Sequence, residues 1–284
     1  MTDVGHDDKM DRREFIRKGV LLAGGIAGAG GLHDLLGTPL ANAALVDPND
    51  STLNSSETKF TAPDGAPITG YLSRPKGDGK HPGVVVIHEW RGQNDHIRDI
   101  CRRLAKSGYV ALAPDLLSRL GGTESFSSPE AATKGLYKLG EESFTKDLTG
   151  AVNYLKAQKY VRADRIGVIG FCWGGALALL FTTRSKDLAA SVIYYGSNPT
   201  NLDDVKKITA PVLAHYGEAD ERVTSGLPKL EAAMKKYGKS FEYEIYAGAP
   251  HAFNNETSQR SYREEAAKEA WAKTLEFFKK HLQG

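Results

Sequence analysis

A glycine-rich turn between an apolar run and a helical pattern constrains this chain more than any other feature. Residues 170–175, Gly-Phe-Cys-Trp-Gly-Gly, follow the mostly apolar residues 165–169 and precede a helical pattern that starts at Ala176. A strand, a Gly-x-nucleophile-x-Gly turn and a helix form a nucleophile elbow, which exposes its central side chain on a strained backbone. The positive end of the helix dipole favours a thiolate at Cys172. We therefore predict that Cys172 is a nucleophile, the alternative being an inert buried cysteine.

The first 43 residues have the features of an export signal rather than of a folded domain. Residues 11–18 are highly charged and contain two adjacent arginines, and residues 19–32 are rich in glycine, alanine and leucine. This run is too short and too rich in glycine to cross a membrane, which takes about 20 apolar residues. The pattern is typical of a twin-arginine signal peptide cleaved after Ala43. It predicts the twin-arginine translocation machinery as a partner, no stable membrane anchor, and a periplasmic or secreted protein.

The composition of the chain is that of an ordinary globular protein. Its net charge of +2 over 284 residues gives no reason to expect a nucleic-acid partner. The two cysteines, Cys101 and Cys172, form neither a disulfide framework nor a zinc-binding pattern. We expect a linker at residues 44–57 and one domain at residues 58–284.

Strand and helix patterns alternate through this domain. After a predicted hairpin at residues 59–72, strands are predicted at residues 83–88, 109–113, 165–169, 189–196, 211–217 and 241–246, with helices between them. The alternation and the elbow predict an α/β class protein with the α/β-hydrolase fold, a mostly parallel central sheet flanked by helices on both faces. The polar, irregular residues 119–142 are expected to form a lid over the site.

Two residues that follow later strands complete a nucleophile, acid and base in the chain order that this fold uses. Asp220 follows the strand predicted at residues 211–217, and His251 lies between the last strand and the final helix. The acid would orient the imidazole, and the base would bond both neighbours. Glu218 and Glu221 are alternatives for the acid.

The loop after the strand at residues 83–88 is expected to complete the site. In this fold that loop supplies one oxyanion-hole N–H, here that of Trp90, and the residue after the nucleophile, Trp173, supplies the other. Glu89 lies beside the first donor. A carboxylate there is costly unless it is paired, and the alternative is a glutamate that faces solvent.

Residues 59–281 resemble the dienelactone hydrolase family, the carboxymethylenebutenolidases. The stretches that carry the resemblance are GFCWGG at 170–175, YYG at 194–196, GEAD at 217–220 and GAPHAF at 248–253. The resemblance implies a triad of Cys172, Asp220 and His251. It also implies that Glu89 pairs with the thiol in the resting enzyme and that Tyr137 lines the substrate pocket.

The chain departs from this family at two positions. The family has one arginine four residues before the tyrosine and another four residues after the histidine, and both bind the substrate carboxylate. The corresponding residues here are Thr133 and Asn255. Because carboxylate clamps rely on the arginine fork, a dienelactone is a doubtful substrate. Candidates that could replace the arginines are Lys134, Arg91 and Arg119.

These observations predict a cofactor-free hydrolase, without a metal, whose substrate is a small lactone or activated ester. A thiolate is a good leaving group as well as a good nucleophile. It therefore suits activated esters, enol lactones and thioesters better than amides, and protease activity is not expected. A general carboxylesterase or thioesterase with the same triad is the alternative enzyme. A catalytically silent binding protein is the alternative outside catalysis.

Overall fold

Eight strands form one sheet through residues 45–284, the part of the chain that the computed structural model describes. The strands are β1 (Leu53–Thr61), β2 (Pro67–Pro75), β3 (His81–Ile87), β4 (Val110–Pro114), β5 (Val161–Phe171), β6 (Ala190–Tyr194), β7 (Val212–Gly217) and β8 (Phe241–Tyr246). Their order is β1-β2-β4-β3-β5-β6-β7-β8, with β1 and β2 antiparallel and the pairs from β4 to β8 parallel. The predicted α/β class and mostly parallel sheet are confirmed.

Helices cover both faces of this sheet. They are α1 (Asp95–Lys106), α2 (Pro129–Lys138), α3 (Glu141–Ala157), α4 (Trp173–Arg184), α5 (Glu221–Thr224), α6 (Leu227–Lys236) and α7 (Glu264–Phe278). Along β3, Val84 and Val86 pack with α1 and α7, whereas Val85 and Ile87 pack with α3, α4 and α6. Because alternate strand residues point to opposite faces, this continuous apolar run is buried on both sides. Within residues 45–284 no helix is long and apolar enough to cross a membrane.

Helix α1 shows how local sequence sets one of these elements. The Asn94 side chain caps it by accepting a hydrogen bond from the Ile97 N–H at 3.1 Å. Its apolar face, predicted from spacing, is fully buried and includes Ile97, Ile100 and Leu104. After the helix, Gly108 has φ +90°, which an L side chain rarely adopts.

Two predictions from the sequence are wrong: where the first strand begins, and that residues 119–142 are irregular. Strand β1 begins at Leu53, so the predicted linker, residues 44–57, overlaps the sheet. The strand lies at the sheet edge and is mostly half-exposed, which explains its polar composition. Residues 119–142, predicted to be irregular, contain helix α2, which is capped by the Ser128 hydroxyl. The predicted export signal, residues 1–43, lies outside the described residues and stays a prediction.

Candidate active site

The elbow occupies the centre of the sheet, between β5 and α4. Cys172 has φ 57° and ψ −119°, and its N–H donates to the carbonyl oxygen of Tyr194 at 3.0 Å. A Cβ on Gly170 would lie 2.0 Å from the Gly174 carbonyl oxygen, and one on Gly174 would lie 2.3 Å from that of His88. Larger residues at these two positions would collide with backbone. The strand–turn–helix geometry predicted around Cys172 is therefore present.

Cys172, His251 and Asp220 lie in a hydrogen-bonded row. The Cys172 Sγ is 3.0 Å from His251 Nε2, and His251 Nδ1 hydrogen-bonds the Asp220 carboxylate on the other side of the ring. Asp220 is 3% exposed. Glu218 instead accepts a hydrogen bond from the Gly248 N–H at 2.9 Å, and Glu221 is exposed on α5. The structure brings together the three residues singled out in the sequence and leaves the alternative acids outside the row.

The electrostatics of the row favour a protonated imidazole. Burial is the largest single influence on His251 and lowers its pKa. The charge of Cys172 and the hydrogen bonds to Asp220 and Cys172 outweigh burial and raise the pKa of His251 to about 10. The His251 ring can therefore carry a proton at neutral pH while its Nε2 faces the Cys172 sulfur.

Backbone strain is concentrated around this row. Among residues 45–284, the residues other than glycine with positive φ are Cys172, Tyr195 and Ala252. Tyr195 follows β6 and its ring centroid is 5.1 Å from that of His251, while Ala252 directly follows His251. Strained residues cluster at functional sites because the surrounding structure must hold them in place. The sequence offered no signal for the strain at Tyr195 and Ala252.

Glu89 is buried, but its partner is not the predicted one. Its carboxylate accepts a hydrogen bond from Asn255 Nδ2 at 3.0 Å, whereas the Cys172 Sγ is bonded to His251. No Cys172–Glu89 hydrogen bond occurs in the described part of the chain, so the predicted pairing with the thiol is not made in this structure. The imidazole is the better partner for the sulfur because it can carry the opposite charge. The alternative of a solvent-facing Glu89 is wrong, since this residue is 6% exposed.

His88 fixes the peptide that precedes Trp90. Its Nε2 accepts the Leu116 N–H at 3.1 Å, so its Nδ1 carries the proton and donates to the Glu89 carbonyl oxygen at 2.6 Å. Because a trans peptide directs its C=O and N–H in opposite directions, the Trp90 N–H points away from His88. Burial lowers the pKa of His88 and keeps the ring neutral.

Both predicted oxyanion donors have N–H groups without a protein acceptor within residues 45–284. Trp173 is the first residue of α4, and the first N–H groups of a helix have no intrahelical partner. Trp90 lies in the loop after β3, the strand next to β5 in the sheet. The two donors therefore come from neighbouring strand ends.

Helix α2 contributes the predicted pocket tyrosine. Burial, and to a lesser degree the charge of Cys172, raise the pKa of Tyr137 to about 12. One turn earlier in α2, the Thr133 hydroxyl hydrogen-bonds the carbonyl oxygens of Pro129 at 2.8 Å and Trp90 at 3.4 Å. Position 133 therefore borders the loop that carries Trp90.

The three cations considered as replacements for the missing arginines are placed differently. Arg119 is held by Asp64 and Asp147, with Nε 2.9 Å from an Asp147 oxygen. Arg91 is exposed and lies over the Trp90 ring at 4.8 Å, and Lys134 is exposed on α2. Arg119 is thus unsuited to hold a substrate carboxylate.

The two cysteines differ in accessibility. Both are free thiols, with Cys172 half-buried and Cys101 completely buried in α1. Burial raises the pKa of Cys101 far above its ordinary value. Among residues 45–284 no group of three or more His, Cys, Asp or Glu side chains could hold a metal ion.

The eight-stranded sheet and its flanking helices place this chain in the α/β-hydrolase fold class. The sequence profile of the dienelactone hydrolase family matches residues 68–282, and the chain belongs to that family. The chain is a hydrolase of the carboxylic ester or lactone type.

Individual relatives agree with this assignment. A Bradyrhizobium protein provisionally named 2-oxo-3-(5-oxofuran-2-ylidene)propanoate lactonase is 38% identical over 225 residues, 75% of this chain and 90% of its own length. A Methylorubrum extorquens protein provisionally named carboxymethylenebutenolidase is 31% identical over 254 residues, 86% of this chain and 87% of its own. The crystal structure of a provisionally assigned dienelactone hydrolase from Klebsiella pneumoniae superposes with a TM-score of 0.74 at 31% identity, covering 80% of this chain and 98% of that one.

Proposed function

We propose that this enzyme hydrolyses uncharged lactones or activated esters, with Cys172 as nucleophile, His251 as base and Asp220 as its orienting acid. The observation that carries the proposal is the row in which His251 lies 3.0 Å from the Cys172 sulfur and is hydrogen-bonded to Asp220 on its other side. A nucleophile bonded to a base that is held by a third group is the arrangement nucleophilic catalysis requires.

In the first step the Cys172 thiolate attacks the carbonyl carbon. The sulfur electron pair forms the C–S bond while the carbonyl π pair moves onto the oxygen. The N–H groups of Trp90 and Trp173 then donate hydrogen bonds to that oxyanion. Removing one such donor from an enzyme typically costs about 10²–10³ in kcat, so these two groups would supply a large part of the acceleration.

The tetrahedral species then collapses. The carbonyl re-forms, the bond to the leaving oxygen breaks, and the His251 imidazolium donates its Nε2 proton to that oxygen. The product is a thioester on Cys172. His251 next takes a proton from water, the hydroxide adds to the thioester carbon, and the sulfur leaves as thiolate. With a lactone substrate, alcohol and acid end on one molecule.

The charges around the site favour a substrate without a carboxylate. The buried Glu89 carboxylate has the neutral amide of Asn255 as its partner, at 3.0 Å. The other position where the family has an arginine is occupied by Thr133, whose hydroxyl bonds backbone oxygens. An anionic substrate would meet the Glu89 charge without the fork that usually binds a carboxylate.

The proposal is tested by assaying the purified protein and its Cys172→Ala variant with p-nitrophenyl acetate and with enol lactones that carry or lack a carboxylate. We expect the parent to prefer the uncharged lactone and the variant to lose at least about 10³-fold in kcat, since the covalent route is removed. Cys101→Ala is the matched control, because this thiol is buried, and it should keep the parent's rate.

Equal rates for parent and Cys172→Ala would overturn the nucleophile assignment. A parent that ignores both lactones but cleaves simple esters or thioesters would be a general esterase or thioesterase with the same residues. Preference for the carboxylate-bearing lactone would refute the substrate class proposed here.

A further inference from the structure

A buried histidine and a buried glutamate from distant parts of the chain meet behind the candidate site. His96 Nδ1 lies 2.9 and 2.8 Å from the two carboxylate oxygens of Glu256. The side chains are 0% and 4% exposed. His96 is in the first turn of α1, and Glu256 is in the loop that follows His251.

The carboxylate of Glu256 favours a proton on the His96 ring. Burial lowers the pKa of His96, but the hydrogen bond to Glu256 and the charges of Glu256 and Glu89 outweigh burial and raise it. A buried ion pair adds little stability compared with apolar side chains of similar size, which leaves room for a role in positioning.

Glu256 directly follows Asn255, the hydrogen-bond partner of Glu89. Asn255 Oδ1 accepts hydrogen bonds from the Thr257 N–H at 3.0 Å and the Thr257 hydroxyl at 2.6 Å. These bonds orient the amide, so that Nδ2 faces Glu89 at 3.0 Å. The hydrogen bond from His96 to Glu256 therefore also fixes the neighbouring Asn255 amide, which in turn binds the Glu89 carboxylate.

His96 also reaches the elbow. Its ring packs edge-on against Phe171, with centroids 5.7 Å apart, and Phe171 directly precedes Cys172. Two hydrogen bonds and two chain segments form a closed ring. The chain runs from Glu89 to His96, His96 bonds Glu256, and Asn255, which precedes Glu256, bonds Glu89. This ring ties the loop carrying Trp90 to the loop carrying His251.

We propose that His96 and Glu256 are positioning residues, which act through Asn255 to hold Glu89 and the His251 loop in their working places. The inference rests on the proposed function, because it assigns work to the same site. Displacing reacting groups by about 1 Å can lower rates by about 10²-fold, so a partial loosening of this ring should be visible in kcat.

The test measures kcat and KM with p-nitrophenyl acetate for His96→Gln, Asn255→Ala and the double variant. We expect each single variant to lose about 10-fold in kcat with KM changed less than about twofold, because p-nitrophenyl acetate has no carboxylate for position 255 to bind. The double variant should lose no more than the worse single variant, since residues in one network are not additive. Glu256→Gln, which keeps an acceptor oxygen for His96, should retain more activity than Glu256→Ala.

Arg102→Gln is the matched control. Arg102 is equally buried in α1 and is paired with Asp99, but it contacts Val46 and Tyr71 instead of the His251 loop. It should lower the melting temperature without changing kcat.

His96→Gln with a lower melting temperature and unchanged kcat would overturn the proposal, as would losses that multiply in the double variant. Failure of the proposed function gives a different result, namely activity retained in Cys172→Ala. If His96→Gln does not fold, the comparison of Glu256→Gln with Glu256→Ala decides, and equal kcat values for these two would reject the proposal.

Discussion

At the residue scale, identical side chains have opposite protonation preferences because their surroundings differ. The pKa of His251 is raised to about 10 by its Cys172 and Asp220 neighbours, in spite of burial. The pKa of His215 is lowered to about 3, first by burial and then by the charge of Lys273. His215 bonds only hydroxyls, those of Tyr246 and Thr274, at 3.0 Å each. A charged partner, not burial itself, therefore separates the protonation preferences of these two buried histidines.

The acid in the row gives a prediction at this scale. Asp220→Asn should lower kcat for p-nitrophenyl acetate by roughly 10²–10⁴-fold, because an amide cannot stabilise the imidazolium and favours the wrong tautomer. KM should change little. Steady-state kinetics check this, with Glu218→Gln as control, since Glu218 bonds only the Gly248 N–H and should keep kcat within about threefold. Parent-like kcat in Asp220→Asn would remove Asp220 from the mechanism.

At the element scale, the elbow was predictable and the region before it was less so. Residues 170–175 were recognised because glycine is needed wherever backbone approaches backbone closely, and such positions leave a local sequence signal. The sequence does not predict helix α2, because this stretch mixes small, polar and apolar residues and is half-buried. Strand β1 begins earlier than the sequence pattern predicts, because an edge strand does not need an apolar pattern.

The elbow itself yields a prediction about stability. Gly174→Ala should reduce the free energy of unfolding by about 3 kcal/mol, because the new Cβ would lie 2.3 Å from the His88 carbonyl oxygen and 2.5 Å from that of Ile87. Gly140→Ala is the matched control: nothing lies within 4 Å of its added Cβ. It should change the value by less than about 1 kcal/mol. Urea unfolding of both variants measures the difference. Equal losses of unfolding free energy would show that the close backbone approach at Gly174 does not require glycine.

At the scale of the whole molecule, the sheet decides which strand ends meet. Ile87 pairs with Gly170, Phe171 with Tyr194, and Tyr194 with His215, so the carboxyl ends of β3, β5, β6 and β7 lie side by side. The loop after β7 then bonds the loop after β8, through the Ala219 N–H and the Ala249 carbonyl oxygen at 3.0 Å. Parallel topology thereby collects residues that are far apart in the chain.

Global stability should depend on pH through His215. Its folded pKa of about 3 lies below the ordinary 6.5, so between these values the unfolded chain binds a proton that the folded chain does not. Its contribution is therefore complete above about pH 6.5 and is lost as pH falls, by up to about 1.4 kcal/mol per pH unit. In urea unfolding at pH 7.5, 6.0 and 5.0, the free energy of unfolding of His215→Gln should fall less steeply with decreasing pH than that of the parent. A slope equal to the parent's would contradict this assignment.

The sequence by itself determined the fold class, the elbow and the order of Cys172, Asp220 and His251, because these depend on short local patterns and on their order along the chain. Only the tertiary structure decided that Glu89 bonds Asn255 and that His96 bonds Glu256. The partners in these pairs are about 160 residues apart (166 and 160). No local pattern can specify such pairs, since they depend on how the loops after β3 and β8 are brought together over one edge of the sheet.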